Sequence, residues 1–310
     1  MHVVILERNK LVARKVARLF LSVGATAQVI EDPAALDVSS ADAICADTFD
    51  ADLVAERVRS KPGLRGVLWT AEPIKRSLRH MIEAEGINHV LGRKDFESAP
   101  RAWEILMVAR RFVSAAAPPL GAFVDWGHQA LELAVRSTAQ RDQAVASIQA
   151  FATSLQIPKR LVEMFGELAH ELIMNALYDA PADANGWAKY AGDRKAEVQL
   201  TEAEQPTVRV ATDGSVLVIQ VRDPFGRLER RHVFDGLARG LAGGELDRTG
   251  GGAGLGITVC HNASGAMFFD VVRGKHTEVT ALVELDMNLR EMRTQAKSLH
   301  FWSRPARGVD

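Results

Sequence analysis

Two adjacent prolines, Pro118 and Pro119, constrain this chain more than any other feature. They lie in the small-residue stretch SAAAPPLG at residues 114–121, through which neither a helix nor a central strand continues. The apolar pattern differs on the two sides. Before the break, short β-branched runs (residues 2–6, 27–30, 43–46, 66–69 and 90–91) mostly alternate with amphipathic stretches such as residues 10–23 and 98–112, the rhythm of a parallel α/β sheet. After it come a short strand at 131–136 and two helices, at 140–155 and 159–178. Strands then dominate: 197–200, 207–211, 215–222, 266–272 and 278–285. That order predicts two helices over one antiparallel sheet, an α+β sandwich. Asp213-Gly214 marks a hairpin turn between two of these strands. At 310 residues the chain has room for two domains, 1–113 and 125–290, joined by a linker at 114–124 and followed by a basic, partly loose tail at 291–310.

Composition excludes more than it identifies. Lys plus Arg number 38 against 39 Asp plus Glu, so net charge gives no sign of nucleic-acid or acidic-membrane binding. Cys45 and Cys260 have neither zinc-site spacing nor disulfide density and read as core residues of a reducing compartment. The start, MHVVILERNK, meets charge too early for a signal peptide, and no apolar run is long enough for a membrane helix. The expectation is a cytoplasmic protein.

Three segments of the second half carry chemistry. In ELAHELIMNALYDAP, Glu171 and Asn175 stand four residues apart and share a helix face. An Asn carbonyl oxygen suits Mg²⁺, and a carboxylate one turn earlier suits proton abstraction. On its own such a pair is what a solvated helix face shows. In VLVIQVRDPFGRL, an apolar strand ends at Asp223, whose carboxylate could accept a hydrogen bond from an exocyclic amine such as that of adenine; Pro224 and Gly226 also suit an ordinary turn. In TGGGAGLGITVC, glycines at 250, 251, 252, 254 and 256 precede an apolar, helix-compatible stretch, where backbone N–H groups could approach phosphate. The run lacks the Lys-Ser/Thr ending of a P-loop.

Taken together and in this order, the segments resemble the GHKL ATPase superfamily, which includes gyrase, Hsp90, histidine kinases and MutL. Glu171 and Asn175 fit its N box, Asp223 to Gly226 its DxxG box, and Gly252, Gly254, Leu255 and Gly256 its GxGLG box. Thr277, in GKHTEVTALVEL, resembles the threonine on the adenine side of such sites. The resemblance covers roughly residues 125–287. It implies ATP with Mg²⁺ on Asn175, Glu171 as general base, and a mobile lid at 229–249 carrying Arg230, Arg231, Arg239 and Arg248. Tyr178 and Asp179 stand where many histidine kinases place a basic residue.

His128 and His170 lack the context of a phosphoacceptor, so a conventional histidine kinase is the less favoured alternative. The layout of residues 131–176 is closer to the anti-sigma-factor serine kinases, which bind ATP and a partner protein. The first 113 residues resemble, less closely, a flavodoxin-like response-regulator receiver domain. That resemblance implies Asp47 as candidate phosphoacceptor, Thr70 as switch residue, and Arg93 or Lys94 as the basic residue, with Lys94 preferred. Glu7-Arg8 supplies one acidic residue where two are customary, and an arginine there opposes a cation. Asp47 therefore keeps two readings, a phosphoacceptor or a strand-end aspartate in a domain used for docking. The function expected is a signalling protein in which a receiver-like domain controls an ATP-dependent serine/threonine-type kinase or partner-switching regulator. A non-catalytic interaction module is the rival, the expected partner is a protein, and a homodimer stays open.

Overall fold

The computed structural model describes residues 1–114, 116–124, 127–183, 185–242 and 255–306. The chain divides into two compact units, one of Met1–Pro118 with Thr294–His300, the other of Pro119–Arg293 with Phe301–Asp310.

In the first unit β1 (His2–Leu6), α1 (Lys10–Leu21), β2 (Thr26–Ile30), β3 (Ala43–Asp47), α2 (Ala51–Ser60), β4 (Arg65–Thr70), α3 (Lys75–Glu83), β5 (Ile87–Gly92) and α4 (Ala102–Val113) follow in turn. The strands pair in parallel in the order β2-β1-β3-β4-β5. Successive residues Val3 to Leu6 and Ala43 to Ala46 are all fully buried, so both faces of the central strands are covered, as parallel sheets require. Helix α1 packs on α4, and α2 on α3. Between β2 and β3 the chain makes only a short 3₁₀ turn, Pro33–Ala35, in keeping with the shortness of that segment. Residues 298–300 add an antiparallel edge, with Leu299 opposite Val90 and His300 opposite His89.

The second unit continues with β6 (Gln129–Ala134), α5 (Thr138–Ser154), α6 (Lys159–Met174), β7 (Thr207–Thr212), β8 (Val216–Asp223), α7 (Arg230–Leu241), α8 (Leu255–Ala263), β9 (Ala266–Arg273), β10 (His276–Glu284) and α9 (Leu289–Thr294). Its strands pair antiparallel in the order β9-β10-β8-β7-β6. Helix α6 packs on α5, α8 and β8; its apolar residues Leu161, Phe165, Leu168 and Leu172 recur at three- and four-residue intervals and are buried. The β7–β8 hairpin forms where Asp213-Gly214 predicts it, although only Gly214 takes a positive φ, +91°.

Two expectations fail. The run at 197–200 is not a strand; only Gln199 makes an isolated bridge, to Ser137. The tail is not loose where it is described: Ser298–Pro305 forms β11, with Leu299 and Phe301 buried. Its composition is basic, but its first four residues, Ser298 to Phe301, are buried, with Phe234 and Phe269 around Phe301.

Candidate functional site

Glu171 lies in the last turn of α6 and Asn175 caps it, and from there the helix widens. Ala180 N–H donates to the Asn175 carbonyl, five residues back, in a π-helical turn over Asn175–Asp179. Such a bulge rotates the residues after Asn175 relative to the α-helical register. Gly256, in the first turn of α8, faces this corner. A Cβ there would collide with Glu171 Oε2 and lie 3.8 Å from Asn175 Oδ1. A side chain at 256 would therefore need the Glu171 carboxylate to swing aside.

Asp223 ends β8 directly opposite Thr277 of β10. Its Oδ1 accepts the N–H groups of Phe225 at 2.9 Å and Gly226 at 3.4 Å, and Thr277 also hydrogen-bonds to it. Burial pushes this carboxyl above the ordinary Asp value, while those donors pull it down. Gly226 turns the chain at φ +65°, where a Cβ would also collide with the Val272 carbonyl. Asn175, Asp223 and Thr277 line one cavity of about 310 Å³, whose apolar walls include Val221, Ile257 and Met267. That size is near the lower end of small-molecule pockets, roughly 300–1,000 Å³.

Glu171 does not line this cavity. It opens, beside His170 and Gln149, onto a second cavity of about 340 Å³ between α5, α6 and α8. Leu255 is partly exposed at the start of α8. The predicted Gly252 and Gly254, with Gly250, Gly251 and Arg248, lie outside the described residues.

The expected lid begins as an ordered helix. Residues Arg230–Leu241 form α7, anchored by buried Val233, Phe234 and Leu237; residues 243–249 lie outside the described residues. Arg230 stacks over Phe234 at 4.7 Å, Arg231 pairs with Glu229 at 2.6 Å, and Arg239 is exposed. None of the three lines the cavity. Sequence reasoning missed the polar residues that do: Arg227, His232 and Asp179. Arg227 donates to the carbonyls of Ala180, Pro181 and Gly186, stapling the segment after the π turn to the turn after β8. Asp179, raised by burial, pairs with Arg194 at 2.5 Å. Cys260 also lines the cavity, and burial pushes its thiol far above the usual range.

In the first unit, Asp47 ends β3 as expected, but its basic partner is not Lys94. Lys94 is exposed, whereas Arg93 is buried with Nη2 2.5 Å from Asp47 Oδ2. Neighbouring residues leaving a strand point to opposite sides, and Arg93 is the one directed inward. Thr70 is buried, and its hydroxyl accepts the Glu72 N–H at 2.9 Å. Arg8 turns to Asp50, binding both carboxylate oxygens at 2.5 and 2.9 Å. His128 is exposed, and His170 Nδ1 lies 3.9 Å from Glu171.

Among the described residues no group of three His, Cys, Asp or Glu side chains is placed to hold a metal, and no helix is long and apolar enough to cross a membrane. An amide oxygen at Asn175 near Gly256 fits a Mg²⁺ ion that takes most of its ligands from water and phosphate. The buried acceptor at Asp223 fits an amine-bearing base.

No protein-family model matches the sequence, and no curated protein matches it. Among solved structures, the chain is similar to one in the crystal structure of the SiaB-SiaC complex from Pseudomonas aeruginosa. The identity is 16% and the TM-score 0.29, over 49% of this chain and 88% of that one.

Proposed function

We propose that the second unit is a GHKL-type domain that binds ATP as its Mg²⁺ complex, in a signalling protein that acts on a protein partner as a serine/threonine-type kinase or partner-switching regulator. The first unit is then a receiver-like regulatory domain. The observation that carries this reading is the shared cavity: Asn175, Asp223 and Thr277, separated by up to a hundred residues of sequence, line one space, and Gly256 abuts Asn175 at its edge. In that space Asp223 accepts the adenine amine and Thr277 braces the carboxylate. Asn175 holds the magnesium, which supplies charge neutralisation on the phosphates. Among the described residues Gly256 alone of the glycine run stands beside Asn175, at the start of α8, where backbone N–H groups can meet phosphate.

Calorimetric titration with ATP and Mg²⁺ tests this directly. Wild type should bind, with Asn175→Ala and Asp223→Ala much weaker; equal heats for all three contradict the reading.

One observation favours a second reading, a nucleotide-binding module without phosphotransfer. Glu171, the base the kinase reading needs, opens onto the other cavity. Incubation with γ-labelled ATP and a candidate partner separates the two. Label on the partner that disappears in Glu171→Gln supports the kinase, and binding with neither transfer nor hydrolysis supports the module.

A further inference from the structure

At the carboxyl ends of β1, β3 and β5 the side chains of Glu7, Asp47 and Arg93 meet beneath the surface. The Arg93 side chain is only 2% exposed, with Nη2 2.5 Å from Asp47 Oδ2 and Nη1 3.7 Å from Glu7 Oε2. The remaining oxygens are also engaged. Asp47 Oδ1 accepts the Phe49 N–H at 2.8 Å, Glu7 Oε1 accepts the Asn9 N–H at 2.9 Å, and Glu7 Oε2 accepts Trp69 Nε1–H at 3.1 Å. The neighbouring Asp50 is taken up by Arg8.

A receiver-like domain implies a divalent cation here, and these residues do not fit one. Mg²⁺ needs oxygens at about 2.0–2.1 Å in a near-octahedral shell. A guanidinium already holding those oxygens excludes a second cation by charge and by volume. Both Asp47 oxygens already accept a hydrogen bond, Oδ2 from the guanidinium, which lowers their nucleophilicity toward phosphorus.

We propose that Arg93 is the resident cation of this cluster. It is permanently paired with Asp47 and lies against Glu7, so the first unit takes up neither a divalent cation nor a phosphoryl group and is held in a single state. Above the cluster, Arg93 lies 5.4 Å from the Phe96 ring, which packs on Phe49 at 4.9 Å. Phe49 is 69% exposed, so the aromatic pair is displayed at the surface as a fixed feature rather than a switched one. The inference is independent of nucleotide binding in the second unit.

The full-length chain tests it. Incubation of wild type with acetyl phosphate and Mg²⁺ should give no phosphoryl adduct by intact-mass spectrometry, and Mn²⁺ should not raise its Tm. Arg93→Ala strips the cluster of its cation and keeps the carboxylates, so it should gain a Mn²⁺-dependent rise in Tm. Without metal its Tm should fall by roughly 10 °C, because a buried carboxylate is left uncompensated. If that variant does not fold, the double variant Arg93→Ala/Asp47→Asn should recover folding, because the carboxylate bound most closely by Arg93 is removed with it and Glu7 keeps its Asn9 and Trp69 donors. Four results overturn the proposal: a Mg²⁺-dependent adduct on wild type that Asp47→Asn abolishes, a Mn²⁺ response of wild type that Asp47→Asn abolishes, a folded Arg93→Ala indifferent to Mn²⁺, or a double variant no better folded than the single one.

Discussion

Asp47 and Asp223 are the same kind of residue in the same kind of place, yet their surroundings differ in one decisive respect. Each is the last residue of a strand, each is at least nine-tenths buried, and burial pushes both carboxyls above the usual Asp value. Asp47 faces a buried guanidinium. Asp223 is held by neutral donors, the Phe225 and Gly226 N–H groups and Thr277, and borders a cavity. Burial and position therefore do not separate a structural carboxylate from one available to a ligand; the counter-ion does. A carboxylate already paired by the protein has little to offer a ligand, whereas one satisfied only by dipoles retains its charge for an incoming donor.

Substitutions should break this comparison in opposite ways. The largest effect is expected at Arg93→Ala, a loss of about 3–5 kcal/mol in stability with unchanged ATP affinity, read by chemical denaturation and calorimetry. Asp223→Ala should do the reverse. ATP affinity should fall about a hundredfold, the scale of a lost charge-assisted hydrogen bond in a closed site, with a smaller stability loss of about 1–3 kcal/mol from the turn N–H groups left unpaired. Asp223→Asn sharpens the contrast. A carboxyl raised above its unfolded value favours the protonated native state, so its stability contribution is present at low pH and lost as pH rises through the raised value. At neutral pH the amide should therefore leave Tm equal or higher while ATP binding still drops. Gly256→Ala, which drives a methyl group into Glu171, should cost nucleotide affinity about tenfold, with Tm reporting whether the α8 start shifts.

The smallest effect concerns the far edge of the first unit. His89 and His300 are buried with rings 5.6 Å apart, and burial lowers both below the ordinary His value. Arg65, Arg101 and Arg111 push in the same direction, while Glu104 opposes it for His300. With native values depressed, the unfolded chain binds more protons as pH falls below about 6.5, so stability declines in that direction until the native imidazoles titrate. Urea melts at a series of pH values should show the decline, and His300→Gln should flatten it.

Much of this was readable in the sequence for a physical reason. The strands of the parallel sheet are continuous apolar runs because both faces are covered, and the α6 face carries its spacing openly. Asn175, Asp223 and Thr277 were legible because strand ends and helix turns are local features, and the structure gathers them into one cavity. What stayed hidden depends on tertiary neighbours. The choice between Arg93 and Lys94 is a question of strand phase at a terminus. Glu171 meets Asn175 beside Gly256 yet lines a different cavity, between α5, α6 and α8, which no spacing along α6 encodes. Strand β11 reads as a basic tail until its partners are known, and Arg227 reads as a loop charge until the carbonyls of 180–186 are in place.

The central claim is that Asp223 reads an exocyclic amine inside the cavity it shares with Asn175. Calorimetry of wild type with ATP and with inosine triphosphate, both with Mg²⁺, tests it most directly, because the two nucleotides carry the same phosphates and differ at the six-position of the base. If Asp223 accepts that amine, ATP binds about tenfold or more tighter, and Asp223→Asn narrows the gap. Equal affinities in wild type would contradict the assignment.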